Sequence, residues 1–114
     1  DGHLVCLSIG LCQKADQGQV VATLRGYQGE NGGLDLPSAP RPLVVVRDEP
    51  DRPQPRRDRD AGHGMAIVVG RVQPCPVNDV RLVALSHNTI RGAAGGLILI
   101  AELLVARGLL EAPR

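Results

Sequence analysis

A histidine that follows a glycine turn and opens an alternating apolar run has the type and place of a general acid or base. His3 is such a residue: it comes after Asp1-Gly2 and shares the strand parity of Val5 and Leu7. Partial burial at the mouth of that apolar face would disfavour the imidazolium and keep the ring neutral near pH 7. The other reading of the same position is an ordinary strand-end histidine. A second stretch with chemical content runs from Ser86 to Gly96 (SHNTIRGAAGG), where a strand pattern gives way to a helical one. Helix N-termini present free N–H groups to polar or anionic ligands, and the Asn88 amide, with one donor group and one acceptor, can hold a carboxamide. Gly92, Ala93, Ala94, Gly95 and Gly96 remove side-chain bulk over more than a turn. They fit either close approach of a ligand to the backbone or helix packing through small residues, and both stay open at this point. The glycine spacing is not that of a dinucleotide-binding turn.

The segment Asp48 to Gly64 (DEPDRPQPRRDRDAGHG) balances four arginines against five acids, which argues against phosphate-backbone binding. Pro50, Pro53 and Pro55 exclude a helix or a central strand there and favour an ordered, extended arm laid on another surface. Cys6, Cys12 and Cys75 are odd in number, lack Cys-x-x-Cys spacing and have no adjacent base, so they read as inert, reduced thiols of an intracellular protein. No close ligand pair with His63 or His87 supports a zinc site, and no metal is expected.

These residues must be carried by a β-α-β-β-β-α order. Strands are predicted over Leu4–Leu11, Leu43–Arg47, Met65–Val72 and Val80–Ser86. A helix from Gln17 to Tyr27 has Asp16 as N-cap and ends in a loose loop with Gly26, Gly29, Gly32 and Gly33. A second runs from Thr89 to Arg107, capped at Asn88 or Thr89 and stopped by Gly108. Pro74 to Asp79 reads as a hairpin-like connection. The pattern implies an α+β layer, a mainly antiparallel sheet with the helices on one face and the other face left for a partner.

Composition sets the outer bounds. The 114 residues amount to one domain, with 43% hydrophobic residues and a net charge of +1. Tyr27 is the single aromatic residue, so the core is aliphatic and no base-stacking platform for single-stranded nucleic acid exists. The longest apolar stretch, Ala93 to Ala106, is too short to span a bilayer. Neither nucleic acid nor membrane is an expected partner. The opening Asp-Gly-His, running straight into a strand, reads as part of something longer.

Three groups of short words, in order, resemble one family. They are Asp1-Gly2-His3; then Leu36-Pro37-Ser38-Ala39-Pro40 with Asp51-Arg52-Pro53-Gln54-Pro55-Arg56 and Asp58-Arg59; then Gly70-Arg71 with the Ser86–Gly96 stretch and Ala101-Glu102-Leu103-Leu104. Together they resemble the C-terminal part of the aspartate-semialdehyde dehydrogenases of the archaeal and fungal type. The resemblance implies the C-terminal domain of a glyceraldehyde-3-phosphate-dehydrogenase-like fold. Residues 1–87 would form the catalytic and dimerisation portion, including the 48–64 loop, and residues 88–114 a cofactor-proximal last helix that packs on a Rossmann domain. It implies NADP as cofactor and a cytoplasmic homodimer or homotetramer in lysine, threonine and methionine biosynthesis. The implied reaction reduces aspartyl 4-phosphate to aspartate semialdehyde, with release of phosphate, through a cysteine thioester formed elsewhere in the protein. By position, His3 resembles the family's acid/base histidine, Asn88 the residue at the nicotinamide end of NADP, and Gly92 and Ala93 its close-approach neighbours. Arg57 stands where the family word has an aliphatic residue. A sister reductase acting on an acyl-CoA such as malonyl-CoA and a non-catalytic dimerisation module remain the alternatives, and the fragment alone is expected to be inactive.

Overall fold

The computed structural model describes residues 1–29 and 34–111. Gly32, Gly33 and residues 112–114 of the expected elements lie outside them. Four strands, β1 (Gly2–Ile9), β2 (Val44–Val46), β3 (Ile67–Pro74) and β4 (Val80–His87), form one sheet in the order β1-β4-β3-β2. β4 is antiparallel to both β1 and β3, and only the short β2 runs parallel to β3. The mainly antiparallel α+β architecture is the one the sequence implies, and the Pro74–Asp79 connection is a hairpin closed by the Cys75 N–H on the Asp79 carbonyl at 3.3 Å.

β1 begins two residues earlier than its apolar pattern suggests and also stops earlier. The alternation continues to Leu11, yet the ladder ends at Ile9 opposite Val80. There the Asp79 N–H bonds to the Ile9 carbonyl and the Leu11 N–H to the Asp79 carboxylate at 2.7 Å. Gly2, read as part of a turn, is a strand residue paired with His87.

One sheet face is covered by α1 (Gln17–Gly26). Asp16 caps it as expected, in a reciprocal capping box: the Gln19 N–H donates to the Asp16 side chain at 2.8 Å, and the Asp16 N–H donates to Gln19 Oε1 at 2.8 Å. Val20, Val21 and Leu24 pack on a core of Val44, Val69, Val72, Val80 and Leu82. Val72 reaches that face through a β-bulge between Gly70 and Gln73, where one extra residue enters β3. Arg71 takes the left-handed conformation there, at φ +52°.

The opposite face is not left open above β3 and β4: the chain covers it with its own proline-rich loop. The segment expected to be non-helical contains one helical turn, α2 (Pro55–Asp58), because a proline at the first helical position needs no N–H. A Cβ on Gly2 would lie 2.8 Å from Pro55 Cβ, and one on Gly70 would run into the Arg52 carbonyl, so the loop lies directly on the sheet. Beneath it Val68 and Leu85 are 1% exposed.

Asp58 fixes this loop. Its carboxylate is buried and accepts from Arg47 Nε (3.0 Å), from Arg52 Nε (2.7 Å) and Nη2, and from the Gln54 N–H (2.8 Å) at the start of α2. The Arg52 guanidinium hydrogen-bonded to it, with the Gln54 N–H and Arg47, outweighs the cost of burial and holds the carboxyl down to about 2. Arg57, the departure from the family word, is solvent-exposed with Asp51 at 3.8 Å, so a charge is tolerated there.

The last helix is interrupted. A π-helical turn, Ile90–Ala94, precedes α3 (Gly95–Ala106), with non-helical backbone angles at Ala93. Leu99 and Leu103 of α3 pack with Leu36, Ala39, Met65 and Ile90 in a second small core. Glu102 ties the helix to the LPSAP turn by accepting from the Ser38 N–H (2.9 Å) and Ser38 Oγ (2.7 Å).

The carboxyl of Asp58 lies below its ordinary value in the folded state. Its contribution is therefore present above about pH 4 and is lost as pH falls toward 2. Asp58→Asn should destabilise the protein by about 3 kcal/mol near pH 7, because it leaves two arginines facing a neutral amide. Urea unfolding followed by circular dichroism should show the gap between parent and variant closing as pH falls from about 5 to 2. A gap independent of pH would contradict the buried ion-pair assignment.

Candidate functional site

The β1–β4 pairing brings the two ends of the chain's candidate chemistry together. His3 lies opposite Ser86 and Gly2 opposite His87, so His3 and Asn88 sit at the same end of the same two strands. The Asn88 N–H donates to the Asp1 carbonyl at 2.7 Å, which fastens the start of β1 to the turn after β4. His3 is exposed rather than partly buried as expected, because β1 is the sheet's edge strand and α1 packs toward the far end of that face. The Asn88 side chain is exposed as well.

The run of small residues divides in two. Gly95 and Gly96 serve the fold: a Cβ on Gly95 would come within 2.6 Å of Met65 Sδ, and one on Gly96 would strike the Arg91 carbonyl. Gly92, Ala93 and Ala94 are exposed, and the nearest contact of a Cβ on Gly92 is the His87 carbonyl at 3.4 Å. The packing reading therefore holds for Gly95 and Gly96, while Gly92 to Ala94 take no part in that packing.

His87 is the residue that sequence reasoning missed. It is 7% exposed, and its Nδ1 lies 3.3 Å from both the Thr89 and Ile90 N–H groups. The cap expected from Asn88 or Thr89 is supplied by the preceding side chain, and Thr89 makes no side-chain cap of its own. The signal available was an acceptor-bearing residue just before a helical pattern, overlooked because imidazole is not a common cap. Around it, Asp60 Oδ1 is 4.0 Å from His87 Nε2, and Arg59 is 3.8 Å from Asp1, so the end of the proline-rich loop also borders this site.

The other candidates lie elsewhere. Cys75 Sγ is 3.3 Å from Ser8 Oγ, which also accepts from Asn78 Nδ2 at 2.8 Å. The Ser8 hydroxyl, with backbone N–H groups of Asn78 and Val77, pulls the thiol below its ordinary value. Ser8 lies five positions along β1 from His3, roughly 16 Å away, so this thiol does not share the His3 site. Cys6 and Cys12 are exposed and unpaired. His63 sits in the left-handed conformation at φ +56° between Gly62 and Gly64, beside the LPSAP turn. Among the described residues no three His, Cys, Asp or Glu side chains converge as metal ligands, and no helix is long and apolar enough to cross a membrane.

Known proteins share this sequence and fold. The chain is 46% identical over 113 residues to the aspartate-semialdehyde dehydrogenase of Aspergillus fumigatus, covering 95% of the chain and 31% of that protein. It is 56% identical over 72 residues to the Archaeoglobus fulgidus enzyme of the same name, covering 63% of the chain and 21% of that protein. The fold superimposes on the crystal structure of the Candida albicans aspartate-semialdehyde dehydrogenase with NADP at a TM-score of 0.83 and 44% identity, over 96% of this chain and 31% of that one. The chain thus spans about a third of the length of these relatives. The model of the semialdehyde dehydrogenase dimerisation domain matches residues 1–91, a span that holds the whole sheet, the Asp58-anchored loop, His3 and Asn88, and the chain belongs to that family.

Proposed function

We propose that the chain is the dimerisation and catalytic part of an NADP-dependent aspartate-semialdehyde dehydrogenase. The observation that carries this reading is the placing of His3 and Asn88 at one end of β1 and β4, both exposed and neither used to hold the fold by its side chain. The relatives' shared name supports the substrate, and the Candida albicans complex supports the cofactor.

On this reading residues 1–87 supply the sheet and the acid/base group, and residues 88–114 the cofactor-facing turn and helix. The residues present fit a nicotinamide. The Asn88 amide offers a matching donor and acceptor, and Gly92 and Ala93 leave the neighbouring backbone uncovered. Bound NADPH would supply the hydride for reduction of the acyl group. His3 holds and moves a proton at its imidazole, beside the thiol contributed by another part of the protein. The open end of the sheet is where such a part has access, and exposure of His3 in this chain is what that arrangement requires. The last helix presents Leu97, Ile98 and Ile100 outward while Leu99 is buried, a surface suited to packing on the cofactor-binding domain.

A second copy is the proposed partner of β1. Leu4, Val5 and Leu7 are 40–42% exposed, on both faces of that strand. The sequence implied one bare sheet face; the structure leaves an edge strand bare on both sides, because α1 and the loop cover the rest. The accessible surface of 7633 Å² exceeds the roughly 6,000 Å² of a compact monomer of this mass, as a protomer with unfilled contacts should.

His3→Ala in the intact enzyme should lower kcat by about two to four orders of magnitude with the fold unchanged. Steady-state assays with aspartyl 4-phosphate and NADPH test it, and a loss below about threefold would remove His3 from the proton transfer. Asn88→Ala should act mainly on the KM for NADPH, raising it about tenfold, the worth of one hydrogen-bonded contact. Activity with malonyl-CoA in place of aspartyl phosphate would move the assignment to the acyl-CoA reductases. For the interface, Leu7→Arg should shift the sedimentation of the intact protein from oligomer to monomer; an unchanged oligomer would place the contact elsewhere.

A further inference from the structure

Three constraints converge on one residue whose own side chain is left free. The Asn88 N–H is held by the Asp1 carbonyl at 2.7 Å. The next two N–H groups, of Thr89 and Ile90, are each 3.3 Å from His87 Nδ1, and Thr89 Oγ1 is 3.4 Å from the same atom. Ile90 is wedged against Gly64, where a Cβ would come within 2.8 Å of Ile90 Cδ1. The turn so held ends at a break in the helical backbone at Ala93. Its first N–H groups have no intrahelical partners, and the buried His87 ring supplies the acceptor for two of them.

We propose that His87 is a positioning residue for Asn88: its Nδ1 lone pair clamps the backbone after Asn88 and so aims the Asn88 amide. The clamp requires the Nε2–H tautomer, with the proton on the nitrogen that faces Asp60 Oδ1 at 4.0 Å. The functional consequence rests on the reading of Asn88 as the nicotinamide contact. The clamp itself rests only on the geometry of the turn.

The first test needs no substitution. Nitrogen-15 shifts of the imidazole in the intact enzyme must report Nε2–H with an accepting Nδ1, and an Nδ1–H ring overturns the proposal. The second compares His87→Asn with His87→Gln. Both remove the ring, but Asn places its Oδ1 where Nδ1 was, whereas the polar atoms of Gln reach only the Nε2 position. Amide exchange at Thr89 and Ile90 should accelerate at least tenfold in His87→Gln and stay near the parent in His87→Asn. The KM for NADPH should rise about tenfold in His87→Gln with kcat within about twofold, and His87→Asn should recover most of that loss. Unchanged exchange in His87→Gln overturns the clamp, and so does an equal rise in KM for both variants, which would make ring packing responsible. A flat KM in Asn88→Ala, with the exchange pattern as expected, would instead remove the cofactor reading and leave the clamp supported.

Discussion

One carboxylate with four hydrogen bonds decides whether the second face of this sheet is wet or dry. Between Asp48 and Gly64 the chain has almost no aliphatic side chain with which to hold itself down. Its exposed ion pairs, such as Arg25–Asp48 at 2.6 Å, are too solvated to order it. Asp58 differs because it is buried and its acceptor capacity is filled by Arg47, Arg52 and the Gln54 N–H. With that centre in place, Pro53 and Pro55 become apolar covers over Val68 and Leu85, and Gly70 provides the clearance under the Arg52 carbonyl. The loop's far end then brings Arg59 toward Asp1 and Asp60 toward His87, at the candidate site. A structural ion pair and the surroundings of the candidate site are thus one assembly.

What could be read from sequence was what is decided locally. The Asp16 N-cap, the β3–β4 hairpin and the strand alternation each rest on residues a few positions apart. What could not be read depends on partners distant in the chain. The charge balance of the loop was visible, but not that one of its five acids would be buried. Proline content argued against any helix there, and the single turn at Pro55 forms because its N1 position needs no donor and the Asp58 carboxylate accepts from the Gln54 N–H just before it. His3 had the correct strand end and parity, whereas its burial depended on β1 being an edge, which alternation cannot reveal.

The words that carry the family likeness are mostly scaffold. LPSAP and AELL meet through Ser38 and Glu102, an ion-assisted pair that docks α3 on the loop before β2. Arg52, Gln54 and Asp58 of the proline-rich words form the buried carboxylate centre. Each needs particular residue types at particular spacings, because a hydrogen bond to a buried or half-buried carboxylate tolerates little displacement. The residues read as chemical, His3 and Asn88, are fewer, and they are exposed at the end of strands this scaffold aligns.

The Gly92–Gly96 run shows why a sequence pattern with two readings need not resolve to one. Gly95 and Gly96 are consumed by contacts with Met65, Ile90 and Arg91, which seat α3 against the turn. Because those two positions take the packing role, Gly92 to Ala94 are released from it and remain uncovered. The backbone break at Ala93 separates the parts: the turn before it is held through His87 and Asp1, the helix after it through Leu36 and Glu102. Asn88 lies on the β4 side of that break, in the part held through His87 and Asp1. The amide stays referenced to β1 and β4, and therefore to His3, the group it must act beside on the proposed reading.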